Sequence, residues 1–301
     1  MGFRQVLVTD TKYISVKNKL LEFNHEEKET VRIPIEEVAI VVIDNMELTL
    51  SVNAITKCTE ENVMIVLCNQ KHLPASLIMP YSGHYRQLEM TYKQLDLNTV
   101  KKQNLWRSII KQKIRNQSRV VLYCELDNAY EKLLVLSREV ARNDGTNREA
   151  VAAKLFFNVL YGNDFIRFKE DKINSCLNYG YAILVSSITR ELISYGIDPK
   201  FGIWHSSKSN ALNLSYDLVE TFRPIVDYYV KSNYELINDE LTPNNKRGLV
   251  SLLNATVKVD DEKMRLQNAI EKFCASFMNV IDGKETELLE IEILKVNFYE
   301  I

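Results

Sequence analysis

The sequence predicts two domains: a small β-rich, β-sandwich-like domain over residues 1–82, then a larger all-α domain over residues 83–301. Three observations carry this. The first 80 residues run in short β-branched or aromatic bursts in which apolar and polar positions alternate. Beyond Tyr81-Ser82-Gly83, which reads as a hinge, apolar residues recur at the 3.6-residue helical spacing. No glycine-rich phosphate loop follows any early strand, which disfavours a nucleotide-binding α/β fold.

The strand-length runs fall at residues 4–9, 12–18, 19–24, 29–34, 38–44 and 46–51, with polar corners such as Asn24-His25-Glu26-Glu27 between them. A short helix is expected over 51–60, capped by Ser51 and with Ile55 facing inward, before strands resume at 63–68 and 75–80. Helices are then expected over 84–95, 99–124, 125–142, 147–161, 171–195, 211–223, 224–238, 246–256 and 261–280. The longest carries Leu105, Ile109, Ile110, Ile114, Val121 and Leu122 on its apolar positions, with no Gly or Pro inside. Glycines and prolines lie mainly between helices. Gly180 is inside one, where it either permits close packing or simply weakens the helix. The tail from Asp282 to Glu292 holds five acids against one lysine and reads as a strand or a docked arm.

Composition bounds the function only loosely. With 38 Lys+Arg against 40 Asp+Glu, the 301-residue chain is neither a polycation nor a strongly acidic nucleic-acid mimic. A nucleic-acid partner stays open, because binding depends on where the charges sit. They sit unevenly: residues 101–119 contain Lys101, Lys102, Arg107, Lys111, Lys113, Arg115 and Arg119 without one acid. On a helix these form either a basic ridge for phosphates or a solvated surface offset by neighbours. No signal-peptide pattern or membrane-length apolar run occurs, and five widely spaced cysteines with no CxxC pair read as reduced thiols. A cytoplasmic protein is expected.

Among four histidines, His25 lies in a turn beside three acids and reads as surface, and His72 and His84 lack a nearby ligand motif. His205 lies in the glycine-marked FGIWHSSKSN connection, ahead of an amphipathic helix carrying Asp217 and Glu220 three residues apart on one face. An imidazole plus helical carboxylates suits a divalent cation, although acids at this spacing are common on helix surfaces. Glu149 ends the run Thr146-Asn147-Arg148-Glu149, which taken alone favours a capping box with the glutamate satisfying a backbone N–H. Zinc-protease helices, nucleophile elbows and Walker loops are absent, and no cysteine has an activating context.

Four blocks, NREAVAAKLFFNVLYGNDFIRF, DKINSCLNYGYAIL, GIDPKFGIWHSS and LNLSYDLVETFRPIVD, with LPASLIMPYSGH ahead of them, resemble in order and spacing the CRISPR adaptation integrase, most closely its type II-associated branch. The resemblance covers essentially the whole chain. It implies a metal-dependent DNA integrase and endonuclease that inserts short fragments with 3′-OH ends into a CRISPR repeat array by transesterification, in a prokaryotic cytoplasm. Carried over residue by residue, it implies Glu149, His205 and Glu220 as ligands of Mg²⁺ or Mn²⁺. The third acid is often aspartate in the family, so Glu220 reaches one methylene further. Asp217 matches a second acid that either orients the site or binds another ion. Asn174, Asn178, Tyr179 and Tyr181 match a site-supporting signature, and Arg223 is expected to pair with nearby acids. Ala150 and Lys172 stand where the family usually has glycine and proline. The basic residues of 101–119, with Lys208, become DNA-backbone candidates. Implied partners are prespacer and leader-repeat DNA, a second copy through the β-rich domain, a small second adaptation protein completing a heterohexamer, and in type II systems a ring-shaped DNA-end-binding protein and the RNA-guided effector nuclease. Two other readings stay open: a stand-alone branched-DNA or repair nuclease, and a non-catalytic DNA-binding scaffold.

Overall fold

Each early burst of alternation becomes a strand: β1 (Arg4–Val8), β2 (Tyr13–Lys17), β3 (Leu20–Asn24), β4 (Val31–Pro34), β5 (Val38–Ile43), β6 (Thr49–Leu50), β7 (Met64–Cys68) and β8 (Pro74–Ile78). The computed structural model describes residues 2–80, 83–126, 129–237, 241–296 and 298. Tyr81 and Ser82 of the expected hinge lie outside the described residues. The chain divides into two units, Met1–Tyr85 and Arg86–Ile301.

In the first unit, one four-stranded sheet runs β1-β5-β7-β8 and the other β4-β3-β2-β6. The first sheet is mixed: β1, β5 and β7 are parallel and β8 is antiparallel. Parallel β5 and β7 need a crossover, which α1 (Val52–Glu60) supplies. Ser51 caps α1 as expected, accepting from the Ala54 N–H, but Ala54 and Cys58 are its buried residues and Ile55 is half-buried. β2 and β3 join through a two-residue turn with positive φ at Asn18 and Lys19, a geometry that matches strand twist. Val8, Ile14, Leu21, Phe23, Val41, Ile43 and Ile65 form a core shared by both sheets and α1.

The second unit is built on α2 (Gln87–Leu95), α3 (Thr99–Tyr123), α4 (Tyr130–Glu139), α5 (Arg148–Tyr161), α6 (Lys172–Ser194), α7 (Asn213–Val219), α8 (Arg223–Ser232), α9 (Pro243–Ser251) and α10 (Leu266–Ile281). α6 is buried nearly all round, packed by α7, α8, α9 and α10. Gly180 is there for close approach: a Cβ would lie 2.5 Å from Val226 Cγ1 of α8.

This unit is not wholly helical. The helix expected from residue 261 begins five residues later, because Thr256–Val259 (β9) and Glu262–Arg265 (β10) form a hairpin. Thr256, Val257 and Val259 are β-branched, and Asp260 takes the positive φ of the turn. The acidic tail contributes Ile291–Ile293 (β11), antiparallel to β9. Its other edge is held by buried amides of α3. Gln112 donates to the Leu289 carbonyl and accepts from the Ile291 N–H, while Asn116 donates to the Ile291 carbonyl and accepts from the Ile293 N–H.

Asp282, whose side chain is only 4 % exposed, ties the end of α10 to α2 through Arg86 at 2.9 Å and Lys93 at 2.5 Å, and also pairs locally with Lys284 at 2.9 Å. Hydrogen bonds from Arg86 and Lys93 hold the Asp282 carboxyl well below the usual range, and those to Glu89 hold its carboxyl at about 2. Lowered folded-state values mean stability that is present above the unfolded pKa and lost as pH falls towards the folded one. Asp282→Asn should therefore lower the thermal midpoint above pH 5, and the gap from wild type should narrow steadily as pH falls below about 4; a calorimetric pH series reads it.

None of the five cysteines is joined in a disulfide, and burial raises the thiol of Cys58 and of Cys176 to about 12. Among the described residues no helix is long and apolar enough to cross a membrane.

Candidate active site

Glu149 does not serve as a cap. Asn147 stands at the N-cap of α5 in the left-handed region (φ 54°) and makes no side-chain cap. Asp144 does that work from the preceding turn: its carboxylate accepts from the Arg148 N–H at 2.8 Å and the Glu149 N–H at 3.0 Å. The capping box read from Thr146 to Glu149 is thus replaced, and the Glu149 side chain is left free to point elsewhere. It meets Lys113, whose Nζ lies 2.7 Å from Glu149 Oε1 and 2.6 Å from Glu220 Oε2. Two carboxylates from separate helical segments therefore converge on one positive charge.

Glu220, just past α7, is buried. Its Oε1 pairs with Arg223 at 3.1 Å, whereas its Oε2 contact with Lys113 is one of charge, without a well-angled hydrogen bond. Burial raises the Glu220 pKa, but Arg223 and Lys113 outweigh it and hold the carboxyl below its ordinary value.

His205 is positioned by Asp217. That carboxylate, fully buried, accepts the Ile203 N–H at 2.7 Å, the Trp204 N–H at 3.0 Å and the His205 N–H at 3.1 Å, and its Oδ1 lies 2.6 Å from His205 Nδ1. With Nδ1–H donating to Asp217, the Nε2 lone pair is left for a ligand. The same hydrogen bond raises the imidazole pKa, against partial burial. Gly202 is required at this bend: a Cβ would sit 2.2 Å from the His205 carbonyl oxygen and 2.8 Å from Asp217 Oδ2. Trp204 stacks on buried Trp106 of α3, centroids 5.2 Å apart, and the His205 ring meets Trp106 edge-on at 6.0 Å.

The other expected residues divide. Tyr181 donates its hydroxyl to buried Asp227, whose carboxyl burial raises to about 7. Arg223 lies 4.8 Å from the Tyr181 ring and Arg167 5.1 Å. Asn174 and Asn178 each accept from Arg167 at 2.9 Å, so they support this cluster through an arginine not singled out in the sequence. Tyr179 is buried in the helical core. A cleft of about 430 Å³, lined by Lys113, Arg167, Tyr181, Arg223 and Asp227 together with Phe157, Phe165 and Phe168, opens beside the carboxylate pair.

The basic stretch of α3 is not one ridge. Lys113 is inside the site, 8 % exposed. Arg115 pairs with Glu290 at 2.6 Å and Arg119 with Glu292 at 3.1 Å, so the acidic tail offsets part of the charge. Arg107 donates to the Val140 carbonyl and, with Lys111, lines a second cleft of about 550 Å³. Lys101 and Lys208 are exposed and Lys102 is half-buried.

Among the described residues, no group of three or more His, Cys, Asp or Glu side chains is arranged so as to hold a metal ion. The donor chemistry nonetheless fits a hard divalent cation. Glu149 and Glu220 already share one positive charge, a buried Glu220 oxygen lacks a well-formed hydrogen bond, and a buttressed imidazole nitrogen is available.

The family described as CRISPR associated protein Cas1 matches residues 6–160 and 165–251. The chain belongs to the Cas1 family. It is 32 % identical over 303 residues to the CRISPR-associated endonuclease Cas1 of Neisseria meningitidis, covering 100 % of this chain and 99 % of that one. A Cas1 endonuclease of Saccharolobus solfataricus is 26 % identical, covering 91 % and 93 %. In fold, this Cas1-family chain is similar to a casposase bound to its integration product, at a TM-score of 0.78 and 17 % identity over 95 % of this chain and 92 % of that one. The Thermotoga maritima Cas1 structure gives 0.73 at 15 % identity, covering 94 % and 98 %.

Proposed function

We propose that this Cas1-family chain is the integrase of CRISPR spacer acquisition, joining 3′-OH DNA ends to a repeat boundary through a divalent-ion site made by Glu149, Glu220 and His205. The convergence of Glu149 and Glu220 on one cationic position carries the reading. In transesterification the 3′-hydroxyl forms a new bond to phosphorus, and the bond to the displaced 3′-oxygen breaks. Mg²⁺ or Mn²⁺, when bound, would polarise the phosphodiester and offset the charge developing on its oxygens. Glu149 and Glu220 supply the anionic oxygens, His205 a neutral nitrogen that tilts preference towards Mn²⁺, and Arg223 keeps Glu220 in place. Asp217 fixes the His205 ring, an orienting role sufficient without a second ion. Water in place of the hydroxyl gives nuclease activity from the same residues.

The blocks around these residues support the type II-associated branch, and with it a homodimer, the small second adaptation protein, and help from the DNA-end-binding ring and effector nuclease. One similar structure is a Cas6-RT-Cas1–Cas2 complex, which supports the small-partner reading. Lys101, Lys102, Lys111 and Lys208 are the basic candidates for DNA backbone contact. The purified chain with its small partner should insert a short duplex with free 3′-OH ends into a repeat-bearing plasmid when Mn²⁺ or Mg²⁺ is present. Insertion that persists in chelator, or that survives His205→Ala, overturns the reading.

A further inference from the structure

We propose that Lys113 is a built-in counter-cation: its ammonium occupies the position between Glu149 and Glu220 that the divalent ion must take, so its contacts and ion binding exclude one another. This rests on the metal reading above and adds how the two carboxylates are tolerated side by side in the metal-free chain. Two carboxylates held together in a poorly solvated place repel and pay for lost hydration, most of all Glu220, whose side chain is 4 % exposed. One ammonium within 2.7 Å of the first and 2.6 Å of the second offsets both.

The arrangement is suited to exchange. Arg223 holds Glu220 Oε1 independently, so Glu220 keeps a partner when the lysine leaves. Lysine carries a compact charge on a flexible stem, unlike the planar fork of arginine, and can swing without a bidentate geometry to break. There is also space to swing into, because Lys113 itself lines the aromatic cleft beside the site. The protein is thereby kept folded without metal, and its ion affinity is set below what its donors alone would give.

Titration of the full-length chain with Mn²⁺ alone, followed by calorimetry, tests this. Losing the competitor in Lys113→Met should tighten Mn²⁺ binding by roughly tenfold, the low end of measured couplings between close charges. The metal-free variant should melt below wild type and recover when saturated with Mn²⁺. Unchanged or weaker binding, or a melting deficit that persists at saturation, overturns the proposal; a merely structural lysine gives that persistent deficit. Glu149→Gln separates the two readings. If it and wild type take up Mn²⁺ alike, the metal site itself is wrong; if it loses the site while Lys113→Met binds no tighter, only the counter-cation role fails. Should Lys113→Met not fold, ¹⁵N-lysine NMR of wild type replaces it. The Lys113 ammonium signal must shift on Mg²⁺ addition, and a signal unmoved at saturation overturns the proposal.

Discussion

Glu149→Gln is expected to cut strand joining by more than about 10²-fold, since losing even an outer partner of a metal ligand costs about 10–100-fold. The substitution keeps the shape of the side chain and removes its charge. It should leave the fold in place, because the α5 N-terminus is capped by Asp144 and not by Glu149. Neutralising one carboxylate loses its ion pair with Lys113 but also relieves the repulsion between the two carboxylates, and Lys113 keeps Glu220 as a partner. The thermal midpoint of the metal-free protein should therefore stay near that of wild type. An inactive variant that unfolds several degrees early would show instead that Glu149 is structural. Gel-based integration and a melting curve, run on the same preparation, tell these apart.

Asp217→Asn is expected to damage both stability and activity. An amide can accept only through its oxygen, so at least one of the four N–H groups gathered by the carboxylate loses its partner in a fully buried place. Losing a buried partner to a charged acceptor costs about 1–3 kcal/mol. Integration should fall by about 10–100-fold, as for other outer-shell partners of a ligating histidine. If the variant is destabilised yet joins strands at the wild-type rate per folded molecule, His205 needs no orientation by Asp217.

The β-then-helical order was legible because periodicity is a property of chain order alone: the period-2 bursts through residue 78 and the 3.6-period beyond residue 86 appear where read. The β9–β10 hairpin was not, because its four-residue strands are too short to outvote the helical pattern on either side. In the site, His205, Asp217 and Glu220 share one short stretch of chain and could be grouped by spacing. Glu149 was legible only through family resemblance, since its local sequence also spells a cap. The place of Lys113 was not legible, for a physical reason. A cation among seven in an acid-free stretch reads as surface, and only the fold brings Glu149 and Glu220 to it from 36 and 107 residues away. Similarly, the partners of Arg115 and Arg119 lie more than 170 residues down the chain.

The grip of Gln112 and Asn116 on β11 makes the helix a gauge for the strand. Two residues four apart on a helix are separated by about 6 Å along its axis, and two apart on a strand by about 6.6 Å, so the repeats nearly coincide over this one step. They would drift out of phase over a longer run, which suits a strand of three residues and no more. A slip of one residue would turn the buried Ile291 and Ile293 outward and bring Glu292 in. It would also shift Glu290 and Glu292 away from Arg115 and Arg119. The amide pair therefore determines, at one stroke, which side of the tail is dry and how much positive charge the long helix leaves uncovered.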